Sequence, residues 1–73
     1  MIHQADRTLK DEWGKIFREL PVEARQALKA ALLSLRMDAL QRAQIQWERH
    51  KGPMALYWKC VGVYAGHLAR SIN

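Results

Sequence analysis

The stretch PVEARQALKAALLSLRMDALQRAQIQWERHK, residues 21–51, decides the fold of this chain. Pro21 suits the start of a helix, because its fixed φ is already helical and its missing N–H is not needed there. Glu23 places negative charge in the first turn, and Arg49, His50 and Lys51 place cations at the opposite pole, ahead of Gly52 and Pro53. Between these marks lie Ala, Leu, Gln, Arg and Met in quantity, with no Gly or Pro. A helix of that span is about 45 Å long. A compact globule of 73 residues is only about 29 Å across. The central helix is therefore expected to overhang its own domain, and an apolar overhang needs a cover from a partner or from a second copy of the chain.

At 3.6 residues per turn the helix changes character along its length. Leu28, Ala31, Leu32, Leu35 and Ala39 form an apolar stripe that becomes Arg42, Gln46 and Arg49 further on. A second stripe, Leu33, Met37, Leu40 and Trp47, then takes over. The change implies that the first half packs on the preceding helix and the second half, through the second stripe, on the next element of the chain. Glu23, Ser34, Asp38, Gln41 and Glu48 mark a solvated side.

Toward the N-terminus, residues 6–19 are expected to form a shorter amphipathic helix, capped by Asp6 or Thr8, with Asp11 and Glu12 in its first turns. Ile2, Leu9, Trp13, Ile16 and Leu20 share a side, with Phe17 beside them. Gly14 inside this helix is either tolerated, at about 1 kcal/mol relative to alanine, or marks a close backbone approach.

Toward the C-terminus, a third helix is expected over residues 54–71. Met54, Trp58, Val61, Ala65, Leu68 and Ile72 recur at alternating fours and threes, flanked by Tyr57 and Tyr64. Its back, Leu56, Cys60 and Val63, is apolar as well, which leaves Lys59, His67 and Arg70 to meet water. A helix apolar almost all round is normally covered on more than one side. Ala55, Gly62, Gly66 and Ala69 form a flat strip of small residues that lets another backbone come close. Residues 58–64 are also rich in strand formers, so a strand is the competing reading there.

The whole chain, 1–73, reads as one small helical domain, since 49% hydrophobic residues support a core and argue against disorder. Twelve Lys and Arg against seven Asp and Glu give a net charge of +5, which favours acidic partners. Cys60 is the single cysteine, so no internal disulfide forms and a reducing cytoplasmic setting is expected. The N-terminal residues lack the layout of a signal peptide. The third helix is too short to span a bilayer and carries Lys59 in its middle.

No catalytic constellation, cofactor site or metal site is expected, and no small-molecule substrate. Cys60 and His67 share a helix face, but two turns separate them by about 10 Å, too far for one metal or a thiolate pair. A buried structural thiol is the reading for Cys60. Arg25, Lys29, Arg36, Arg42 and Arg49 form a candidate basic edge for an acidic partner surface. Tyr57, Trp58, Val61, Gly62, Tyr64, Ala65, Gly66 and Leu68 form a candidate dimer or partner interface. The expectation is thus an all-α protein of three helices, over 6–19, 21–51 and 54–71, in an open antiparallel hairpin arrangement that dimerises. Function is expected to be non-enzymatic regulation or inhibition through protein contact. The alternative is nucleic-acid binding along the basic edge, although no zinc-finger, helix-turn-helix or basic-zipper spacing accompanies it.

Overall fold

The computed structural model describes residues 7–72 and contains three helices and, among those residues, no strand. The first helix opens as a π-helical segment, Leu9–Trp13, and continues as α1, Gly14–Arg18. Helix α2 is Val22–Glu48 and α3 is Gly52–Arg70. The expectations for Ile2 and Asp6, and for the side chain of Leu9, fall outside the described residues. Thr8 has φ −59° and ψ −47°, which is already helical, and so does not serve as the cap. Residues 58–64 lie inside α3, so the helical reading holds over the strand.

The corner before α2 is made by Pro21, whose ψ of 155° turns the chain out of the helical region, while its carbonyl accepts from Arg25 N–H at 2.9 Å. The end of α2 differs from the sequence expectation. The helix stops at Glu48, and His50 takes a left-handed conformation with φ 59°. Lys51 N–H then donates to Gln46 C=O at 2.9 Å and His50 N–H to Trp47 C=O at 3.0 Å, the pairings of a Schellman motif. Gly52 and Pro53 do not end α2. They open α3, with proline in the first turn where its missing N–H leaves nothing unsatisfied.

Helices α2 and α3 pack along their length as an antiparallel hairpin. The seam is made of small residues: Ala39 and Ala43 from α2, and Ala55, Gly62, Ala65, Gly66 and Ala69 from α3, are all buried. Gly62 shows how close the backbones come, since a Cβ built there would lie 2.9 Å from Leu40 and 3.3 Å from the Arg36 carbonyl oxygen. The strip of small residues in α3 therefore admits a second backbone, as expected, and that backbone is the chain's own α2.

Two packing expectations are corrected. The π-helical segment of the first helix lies chiefly against α3, not along the first half of α2. Gly14 is buried there, with a would-be Cβ 3.4 Å from the Ser71 carbonyl oxygen, so it marks a close approach. The second half of α2 does pack on α3, but through Ala39, Ala43 and the half-buried Leu40. Leu33, Met37 and Trp47 of the second stripe remain exposed. The physical reason is size, because helices that approach closely enough to bury glycine leave no room between them for large side chains.

The molecule measures 42 × 27 × 15 Å with a radius of gyration of 13.8 Å. A compact globule of this length has about 11 Å. The 27 residues of α2 span about 40 Å, so this one helix sets the long dimension. Among the described residues the one large side chain that is fully buried is Ile72, at the C-terminal end of α3.

Candidate protein-contact surface

The spacing of apolar residues on α2 and α3 gives each helix more than one apolar side, and the seam uses only the side with the smallest residues. The remainder is on the surface. Met37 is 71% exposed, Trp47 66% and Leu56 62%, and Leu33 and Val63 are exposed as well. Between α2 and α3, on the side where Trp47 and Leu56 stand, runs a groove of about 500 Å³ lined by Leu40, Ala43, Gln44 and Trp47 opposite Gly52, Ala55, Leu56 and Lys59. Its walls are hydrocarbon and indole, and its one ionisable side chain is Lys59. Such a groove suits the burial of apolar side chains.

The candidate interface residues of α3 divide into three groups. Gly62, Ala65 and Gly66 are buried in the hairpin. Trp58, Val61 and Leu68 are half-buried, and Tyr57 and Tyr64 are exposed. Trp58 lies about 160° around the helix from Leu56, on the other side of the seam. There the Arg42 guanidinium stacks over its ring at 5.1 Å, and Tyr57 meets it edge-on at 5.3 Å. Arg42 Nε also donates to Asp38 Oδ2 at 2.8 Å, so Asp38, Arg42 and Trp58 form one cluster joining α2 to α3.

The basic residues do not make one ladder. At about 100° per residue, Arg25, Lys29 and Arg36 lie within roughly 40° of the line of Ala43, which faces α3, while Arg42 and Arg49 lie roughly 100–120° away. Arg25 and Lys29 are half-buried. The aliphatic stem of Arg36 covers Gly66, with its Cδ 3.0 Å and its Nε 3.1 Å from where a Cβ would stand. Arg42 is engaged with Trp58 and Asp38, and Arg49 is exposed beyond the end of α2. A guanidinium on a long methylene stem packs and stays charged at once. Charge counted along the sequence therefore overstates the cations presented together.

Cys60 is exposed, which corrects the expectation of a buried thiol. An Arg70 guanidinium N–H donates to His67 Nδ1 at 2.8 Å, since arginine has no acceptor. That contact turns the imidazole toward the end of α3 and away from Cys60, two turns earlier. Among the described residues no cluster of His, Cys, Asp or Glu could hold a metal ion, and no helix is long and apolar enough to cross a membrane.

The surface that sequence reasoning did not assemble is the groove face itself. Its signal is present in the pairing of Ala39 and Ala43, one turn apart on α2, with the small strip of α3. That match identifies the seam and leaves the larger stripes outside. No protein-family model, curated protein or solved structure matches the chain.

Proposed function

We propose that this chain is a small non-enzymatic regulatory or inhibitory binding protein that acts through protein–protein contact, works as a homodimer and resides in the reducing cytoplasm. The observation that carries this reading is the groove face, where Trp47 and Leu56 line an apolar groove and stand more than 60% exposed, with Met37, 71% exposed, one turn before Leu40 on α2. Contiguous exposed apolar surface rimmed by polar groups marks protein contact in soluble proteins. Trp, present here as Trp47, is among the residues that dominate the energetic centres of such contacts. An exposed single thiol at Cys60 is compatible with a compartment that keeps thiols reduced.

Nucleic-acid binding rests on the excess of cations, and two of the five candidate arginines and lysines, Arg36 and Arg42, are occupied against α3. The test is a pull-down with the full chain from nuclease-treated lysate, set beside Trp47→Ala and Leu56→Ala. Protein partners recovered by the natural sequence and lost by both variants are expected. Nanomolar, sequence-dependent binding to an oligonucleotide at physiological salt, with a log–log salt slope near −4.5 for about five phosphate contacts, would overturn it.

A further inference from the structure

We infer that two copies of the chain stack through the groove face to form a four-helix bundle, with Leu33, Met37, Leu40 and Trp47 of α2 and Leu56 and Val63 of α3 as the shared core. This deepens the homodimer reading and rests on it. The molecule is elongated, 42 × 27 × 15 Å, and Ile72 is the one large side chain fully buried among the described residues. Domains are ordinarily two layers closed around a core, whereas this hairpin is close to one layer with its larger apolar side chains outside. A seam of alanine and glycine buries little apolar area per residue and so supplies little hydrophobic stabilisation by itself.

Three observations select a second copy as the missing layer. Leu33, Met37, Leu40, Gln44 and Trp47 are spaced 4-3-4-3, and Leu56, Cys60 and Val63 are spaced 4-3. That is the repeat by which helices of a bundle mesh, so each hairpin carries two such seams on one face. Trp47 projects from the face beside the groove that it helps to line. A two-fold contact requires knob and hole on the same patch, which this face supplies. The broad side of the whole molecule measures 42 × 27 Å, and Leu33, Met37, Trp47, Leu56 and Val63 stand exposed on the groove side, against the roughly 800 Å² per partner that a stable interface buries. Gln44, the polar residue of the α2 seam, donates from Nε2 to Glu48 Oε1 at 3.2 Å within its own helix.

Sedimentation equilibrium on the full chain at micromolar concentration should give twice the 8.5 kDa chain mass. The melting temperature should rise with protein concentration, as it does when folding and association are linked. Met37→Glu and Leu56→Glu, each placing a charge in the interface, should raise the dissociation constant by about 100-fold or more. Should either variant unfold, Met37→Gln, which removes apolar area without adding charge, should weaken the dimer by about tenfold with an unchanged helical circular dichroism spectrum. Leu35→Glu, about 160° around α2 from Met37, should leave the dimer intact. A natural chain that is monomeric and cooperatively folded across the concentration range overturns the dimer and leaves protein contact to the pull-down. A dimer that survives all changes at Met37 and Leu56 but dissociates with Leu35→Glu overturns the assigned face alone.

Discussion

The seam between α2 and α3 and the groove face beside it differ in one respect, the size of their apolar residues. The seam is alanine and glycine, and the face is Leu, Met, Trp and Val. Both satisfy a helical period, so hydrophobicity alone ranks the face above the seam for burial. Packing reverses that order. Once Gly62 lets the Arg36 carbonyl and Leu40 approach, the interaxial distance is set by the smallest residues, and larger neighbours are displaced to the flanks. Close approach gains dispersion contacts along the whole seam, but it leaves the strongest hydrophobic side chains uncovered.

The largest expected effect concerns the exception to this contrast. Ile72 is large and 1% exposed. Truncation to alanine should lower stability by about 3 kcal/mol, read from urea unfolding at fixed protein concentration. A loss under about 1 kcal/mol would show that the C-terminal end of α3 adds little to the fold.

Next comes a pair of glycines that breaks the seam selectively. At Gly62 a Cβ meets Leu40 at 2.9 Å and backbone at 3.3 Å, so Gly62→Val should cost about 2 kcal/mol in overpacking. At Gly66 the neighbour is the flexible stem of Arg36 at 3.0 Å. There the roughly 1 kcal/mol gained in helix propensity by Gly66→Ala offsets the shift of that side chain, and the net change should stay within about 0.5 kcal/mol. Equal losses at both sites would mean that the seam is not closest at Gly62.

The last effect has the opposite sign. His50 holds φ 59° at the end of α2, a conformation that glycine adopts without strain. His50→Gly should raise stability by about 1 kcal/mol, or about 4–8 °C in melting temperature for a domain of this size. No gain would indicate that the imidazole makes a compensating contact at the hairpin end, where it lines a shallow open hollow with Trp47, Glu48 and Gly52.

Much of this architecture is legible in residues 21–51 and in the two prolines. The existence, order and helical nature of three elements come from local rules: period 3.6, proline at the corners and good helix formers between them. The boundaries were less legible. The Gly52–Pro53 pair reads equally as a stop for one helix and a start for the next, and the choice fell to His50, a residue with no strong left-handed preference. The π-helical winding of residues 9–13 has no signature in Leu-Lys-Asp-Glu-Trp that we can identify.

What the sequence by itself determined is the helical class, the long central element and the surplus of apolar sides, because each is a property of residues within a few turns of one another. What only the tertiary structure decided is which sides became core. Leu40 and Arg36 had to meet Gly62 and Gly66, more than twenty residues away, before the separation of two helix axes was fixed. That distance belongs to the pair and to neither helix alone. It also determined that Arg36 and Arg42 cover α3 and that Met37, Trp47 and Leu56 face outward.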